Sequence, residues 1–142
     1  MKTASQLLAI KGNQILSISP NSDVYEALVI MGKHHVGALL VLEVEKLVGI
    51  FSERDYARNV ALKGKTAKNT LISEVMTSKV ISISPEKTVE DCMNVMSEKR
   101  IRHLPVVEKE HVIGVLSIGD LVKETITYQQ FLIKQLESYI QS

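Results

Sequence analysis

The sequence predicts an α/β fold built from two copies of one β-α-β-β-α unit, related by pseudo-two-fold symmetry. A shift of 65 residues aligns residues 15–56 with residues 80–121 without a gap, and 13 of the 42 aligned positions are identical. Each copy also carries one apolar stripe at helical spacing, followed by two fully apolar runs. A turn separates the two runs, and in the first copy this turn is acidic. Together these observations indicate an internal repeat.

The first two elements of each copy are a short strand and a helix. The β-rich stretches are residues 15–18 and 80–83, and Pro20 and Pro85 end them because proline cannot donate to a β-ladder. The helices that follow each present an apolar stripe. The stripes consist of Val24, Leu28 and Met31 in the first copy and of Val89, Met93 and Met96 in the second.

The other three elements of each copy are two strands and a second helix. Residues 38–42 and 47–51 form the apolar runs of the first copy, and residues 104–107 and 112–116 form those of the second. Runs that are apolar at every position are typical of strands covered on both faces. Ser52 and Ser117 are well placed as N-caps of the second helices.

Two further helices are predicted outside the repeats, one at residues 3–11 and one that continues the second copy through residue 141. The predicted domains are residues 8–65 and residues 73–130, with a helical extension at residues 131–142. On this extension Leu132, Leu136, Tyr139 and Ile140 form an apolar stripe that needs a cover, which predicts a homodimer.

Composition narrows the classes of function. The 142-residue chain has 17 Lys and Arg against 16 Asp and Glu, a net charge of +1, so we expect no nucleic-acid or membrane partner. No apolar run reaches the length that spans a bilayer. A single cysteine, Cys92, on the helical stripe, reads as a core residue and suits a reducing compartment. We therefore expect a cytoplasmic protein.

One heptapeptide pattern stands at the same place in both copies. It reads Gly-Ile-Phe-Ser-Glu-Arg-Asp at residues 49–55 and Gly-Val-Leu-Ser-Ile-Gly-Asp at residues 114–120. A β-α-β-β-α unit with Gly-aliphatic-aliphatic-Ser-x-x-Asp at the strand-to-helix junction resembles a CBS domain, and two in one chain resemble a Bateman module. The resemblance covers about residues 3–141. Within the family, the sequence most resembles the short, stand-alone CBS-pair proteins of bacteria and organelles.

The resemblance implies an adenine nucleotide as ligand, in a cleft between the repeats. AMP is the first expectation, with ATP, ADP or NAD(H) as alternatives. Asp55 or Asp120 would accept both hydroxyls of a ribose cis-diol, and Ser52 or Ser117 would add a polar contact. The close approach of backbone to ligand would be allowed by Gly49 and Gly114.

Other residues complete the predicted nucleotide site. The aliphatic residues that would line an adenine slot are Leu16, Ile50, Ile81 and Val115. The basic residues that would pair with phosphate are Arg54, Arg58, Arg102 and His103. By the 65-residue register Arg102 and His103 correspond to Gly37 and Ala38, so the two clefts are expected to differ. The cleft of Asp55 would borrow the charged pair and prefer AMP, and the cleft of Asp120 would borrow the small pair.

Alternative interpretations remain at this point. Outside such a repeat, Ser-x-x-Asp is more often plain helix capping. As an alternative to nucleotide binding, the repeats would bind no ligand and would only build a dimer. An enzyme is disfavoured because no catalytic residues are identified, neither an activated nucleophile nor an acid–base pair. The histidines lack metal-ligand spacing, so no metal is expected. A regulatory module without an effector domain would act in trans on a partner protein that the sequence does not name.

Overall fold

Two separate β-sheets organise the chain, of which the computed structural model describes residues 1–141. The chain divides into two units. The first unit is Ile15–Ile81, and the second unit is Met1–Gln14 together with the chain from Ser82 onward. The elements in chain order are α1 (Ala4–Lys11), β1 (Ser17–Ile18), α2 (Val24–His34), β2 (Ala38–Glu43), β3 (Lys46–Ser52), α3 (Glu53–Tyr56), α4 (Ile72–Val75), α5 (Val89–Lys99), β4 (His103–Glu108), β5 (His111–Ser117) and α6 (Ile118–Gln141).

The first unit contains a three-stranded sheet in the order β1-β2-β3. β1 is parallel to β2, and β2 is antiparallel to β3. A π-helical turn, Ala57–Ala61, continues α3, and a 3₁₀ turn, Ala67–Asn69, precedes α4. Apolar residues from the strands and helices form one core against the sheet. Its buried members are Ile18, Val24, Ala27, Met31, Leu39, Val41, Phe51, Val60, Ile72 and Val75.

The second unit repeats this arrangement with β4 and β5 as its antiparallel pair. The buried residues of α5 are Val89, Cys92 and Met96, at the positions that Val24, Ala27 and Met31 hold in α2. Cys92 is fully buried, which confirms its prediction as a core residue, and desolvation raises the pKa of its thiol to about 11. The predicted α/β repeat fold with flanking helices is confirmed.

The first strand of the second copy is shorter than the sequence predicts. Only an isolated parallel bridge joins Ile83 to Val106. In the first unit the N–H of Leu40 donates to the carbonyl of Leu16 over 3.2 Å. The residue equivalent to Leu40 is Pro105, which has no N–H, so the matching bond to Ile81 cannot form and the ladder ends early.

Each unit recruits the segment that precedes the other copy in the chain. In the first unit the N–H of Ile72, in α4, donates to Ser22 O over 2.9 Å. In the second unit the N–H of Ala4, in α1, donates to Lys87 O over 2.7 Å. Bridges between Asp23 and Leu71 and between Thr3 and Thr88 extend these contacts. Because backbone groups make these bonds, α1 and α4 play the same structural part in spite of their different sequences.

The burial of α6 changes along its length. Leu121 and Glu124 are buried, whereas from Ile126 to Gln141 every residue except Tyr128 is exposed. Among residues 1–141, no helix combines the length and apolar character that crossing a membrane requires.

Candidate functional site

The two Ser-x-x-Asp patterns adopt the same local structure, a reciprocal capping arrangement at the start of a helix. Oδ2 of Asp55 accepts from the backbone N–H of Ser52 over 3.0 Å, and Ser52 Oγ accepts from the N–H of Asp55 over 3.2 Å. The matching distances for Asp120 and Ser117 are 2.8 Å and 3.2 Å. The predicted N-caps at both serines are therefore confirmed. Capping fixes each carboxylate at the junction of a strand and a helix.

A threonine beyond the motif completes the surroundings of Asp55. The hydroxyl of Thr77 donates to Oδ1 of Asp55 over 3.2 Å. The backbone groups of Thr77 exchange two hydrogen bonds of 2.9 Å with those of Ile50. Thr77 is not among the residues predicted from the sequence, because it lies outside the aligned copies and reaches the motif only through the packing of α4.

A lysine takes the corresponding place at Asp120. Nζ of Lys11 lies 2.6 Å from Oδ2 of Asp120 and 2.6 Å from the carbonyl oxygen of Val115. Burial works to raise the pKa of Asp120, but the hydrogen bond from Lys11, the backbone bond from Ser117 and the lysine charge outweigh it and lower that pKa. Lys11 is not among the predicted residues either, since 109 residues separate it from Asp120.

The two motif glycines are required by close packing within the protein. A β-carbon on Gly49 would lie 2.5 Å from Sδ of Met76, and one on Gly114 would lie 2.6 Å from Cδ2 of Leu8. The sequence predicted a close approach of backbone to ligand at these glycines. In the structure, side chains from α1 and from the end of α4 occupy the space where these β-carbons would stand. The approach of backbone to ligand stays a prediction.

The residues predicted to differ between the two sites lie beside the motif serines of their own units. Gly37 O accepts from the N–H of Glu53 over 3.0 Å, and Arg102 O accepts from the N–H of Ile118 over 2.9 Å. In the strand pairs, Ala38 stands opposite Ser52 and His103 stands opposite Ser117. The predicted roles of Arg102 and His103 in holding phosphate stay predictions.

The remaining predicted contacts are partly or fully accessible. Leu16, Ile50, Ile81 and Val115 are half-buried, and Leu16 packs against the core of the first unit. Arg54, in α3, and Arg58, in the π-helical turn, are exposed. An adenine slot formed by the four aliphatic residues remains a prediction. Within residues 1–141, no three side chains of the His, Cys, Asp and Glu types lie close enough together to hold a metal ion.

The fold and the duplicated capping motif define a tandem-repeat α/β module with a carboxylate at each strand-to-helix junction. Comparison with protein families gives two matches to the CBS domain, at residues 10–62 and 72–126. The chain belongs to the CBS domain family and contains two copies of the domain.

Individual relatives agree with this assignment. The mitochondrial CBS domain-containing protein CBSX3 of Arabidopsis thaliana is 36% identical in an alignment of 148 positions, which covers 98% of this chain and 72% of the relative. The crystal structure of the CBS domain protein NE2398 is 46% identical with a TM-score of 0.85, over 88% of this chain and 98% of that one. The CBS domain pair of MJ0100, solved with 5′-methylthioadenosine and S-adenosyl-L-methionine, is 26% identical with a TM-score of 0.77, over 87% and 99% of the two chains.

Proposed function

We propose that this protein is a regulatory module that binds an adenine nucleotide, first of all AMP, and acts in trans on a partner protein. ATP, ADP and NAD(H) are the alternative ligands. The observation that carries the proposal is the capped carboxylate of Asp55, which stands half-buried at a strand-to-helix junction within reach of a neutral hydroxyl. The adenosine-containing ligands of the CBS pair of MJ0100 support the choice of ligand class.

The chemistry of this junction suits a ribose. A carboxylate accepts hydrogen bonds through two oxygens, so the Asp55 carboxylate accommodates both hydroxyls of a cis-diol. The hydroxyls of Thr77 and Ser52 donate to the two different oxygens of this carboxylate, over 3.2 Å and 3.1 Å. A ribose hydroxyl replaces such a neutral partner with a bond of the same kind. Binding therefore replaces hydrogen bonds within the protein by hydrogen bonds to the ligand, so that few are lost.

A ligand-free dimerisation module is the second candidate function. The favouring observation is the exposed apolar side of α6, where Leu136 is 62% exposed and Ile140 is 80% exposed. Side chains of this kind favour a protein interface. Nucleotide binding separates the two candidate functions, because a ligand-free module would bind none of the four nucleotides. A homodimer formed through this stripe is compatible with either function.

Mass spectrometry of small molecules released from the purified protein, followed by calorimetric titration with AMP, ATP, ADP and NAD(H), tests the proposal. We expect Asp55→Ala to remove most of the AMP affinity. A matched control is Asp91→Ala, because Asp91 forms the same reciprocal cap with Thr88 over 3.0 and 3.1 Å but lies outside the motif. Equal losses in both variants, or no binding of any of the four nucleotides, would refute the proposal. Incubation with each nucleotide should leave it unconverted.

A further inference from the structure

The Asp120 carboxylate is bound by a cation of its own unit, whereas the equivalent carboxylate of Asp55 has a neutral partner. Nζ of Lys11 contacts Oδ2 of Asp120 and the carbonyl oxygen of Val115, both over 2.6 Å. Val115 is the equivalent of Ile50, whose carbonyl accepts from the N–H of Thr77 over 2.9 Å. The ammonium of Lys11 thus takes the place of the N–H of Thr77 at the strand carbonyl. It contacts the motif carboxylate at Oδ2, whereas the hydroxyl of Thr77 contacts the carboxylate of Asp55 at Oδ1.

The two carboxylates therefore differ in how readily they exchange partners. A ribose hydroxyl that reaches Asp55 replaces one hydroxyl with another. A ribose hydroxyl that reaches Oδ2 of Asp120 must displace an ammonium, which adds the attraction of opposite charges to its hydrogen bond, whereas the hydroxyl of Thr77 is a neutral donor. Asp120 and Val115 are both residues predicted to contact nucleotide, so a single lysine covers two groups of the second site.

The end of α1 that carries Lys11 lies outside the core. Ala4, Leu7 and Leu8 are the buried residues of this helix, and residues 9–14 are all exposed. Gly12, with a φ of 99°, ends the helix directly after Lys11. Release of the lysine side chain therefore breaks the two contacts of Nζ and leaves the buried face of α1 in place.

We propose that Lys11 is an intramolecular plug of the Asp120 site: its ammonium competes with the ribose of a nucleotide and leaves the Asp55 site as the high-affinity one. This inference rests on the proposed function and deepens it, because it assigns the difference between the two sites to one side chain. Occupancy of the second site is then coupled to release of the end of α1. A partner that draws the exposed end of α1 away would open the second site.

Calorimetric titration with AMP in the Asp55→Ala background isolates the Asp120 site. We expect weak binding by Asp55→Ala alone and at least tenfold tighter binding after Lys11→Met is added. Adding Asp120→Ala to that pair should abolish the gain. The matched control is Lys2→Met, because Lys2 forms the other ion pair between the N-terminal segment and α6, with Glu124 over 2.8 Å, and its loss changes the charge equally. The control should leave the affinity of Asp55→Ala unchanged.

The outcomes separate the two proposals. If wild-type protein binds AMP through Asp55 but Lys11→Met brings no gain or weakens the second site, the plug is refuted and the proposed function stands. If no variant and no wild-type protein binds any adenine nucleotide, the proposed function itself fails. Lys11→Gln, which removes the charge but keeps a polar, slightly shorter side chain, replaces Lys11→Met if circular dichroism shows that the methionine variant is unfolded.

Discussion

Gly114 lies directly against Leu8, so closely that a β-carbon on the glycine would stand 2.6 Å from Cδ2 and 2.8 Å from Cδ1 of the leucine. Gly49 has the same relationship with Met76, whose Sδ would lie 2.5 Å from such a carbon. The two contacts differ in their capacity to adapt. Methionine is unbranched and flexible, whereas leucine presents two methyl groups that cannot both turn away.

We expect Gly114→Ala to destabilise the protein by about 1–3 kcal/mol, the usual range for overpacking, and Gly49→Ala to cost less. Gly32→Ala is the control, because no atom lies within 4 Å of the added carbon and alanine is favoured over glycine inside a helix by about 0.5–1 kcal/mol. Urea denaturation measures the three free energies of unfolding. Adding Leu8→Ala to Gly114→Ala should recover part of the loss if the clash is the cause.

Nucleotide binding should depend on the ribose diol. A hydrogen bond to a charged group contributes about 1.5–3 kcal/mol, so AMP should bind at least several-fold more tightly than 2′-deoxy-AMP. Calorimetry with the two nucleotides makes the comparison. Asp55→Ala should erase the preference along with most of the affinity. Equal affinity for the two sugars would contradict a role for the carboxylate in holding ribose.

Arg102 should contribute to the AMP site of Asp55. The sequence register puts Arg102 and His103 where the first copy has Gly37 and Ala38, so only one pair carries charge. Arg102→Ala should weaken AMP binding by about 1.5–3 kcal/mol. Asp120→Ala should leave the tighter site nearly unchanged. The opposite pattern in a titration series would reverse the assignment of the two sites.

The protein should form a homodimer through the exposed stripe of α6. Leu132, Leu136, Tyr139 and Ile140 are all exposed, with Tyr139 at 81%. Burial of such a stripe stabilises association. Multi-angle light scattering at micromolar concentration should give twice the chain mass, and Leu136→Glu should reduce it. A monomeric wild-type protein would contradict the predicted dimer. A dimer that survives truncation after Thr127 would contradict only the role of the tail in dimerisation.

Acid should remove the stabilising effect of Lys11. The pKa of Asp120 is lowered in the folded protein, so its ion pair stabilises the fold fully above the unfolded-state pKa of about 3.9 and loses this effect as pH falls through the lower folded value. Wild type should therefore be more stable than Lys11→Met at pH 7, and the difference should shrink towards zero in strong acid. A difference that does not change with pH would show that the lysine acts through packing alone.

Most of the fold was predictable because its signals are local. The strand pairs and the caps at Ser52 and Ser117 follow from patterns within each 42-residue copy, and the two copies follow from the repetition of those patterns after 65 residues. The shortened first strand of the second copy was also implicit in the sequence, since Pro105 lacks the donor that Leu40 supplies. What the repeat register did not predict was which segment covers each motif.

The sequence by itself determined that the chain carries two CBS repeats with an aspartate at the same place in each, because repeat register and helix capping are properties of neighbouring residues. Only the tertiary structure decided that Thr77 meets Asp55 and that Lys11 meets Asp120. Those partners come from segments before each copy, at separations of 22 and 109 residues. Backbone bonds help to hold the two segments in place, and almost any residue can make such bonds, so they do not identify their partners in the sequence.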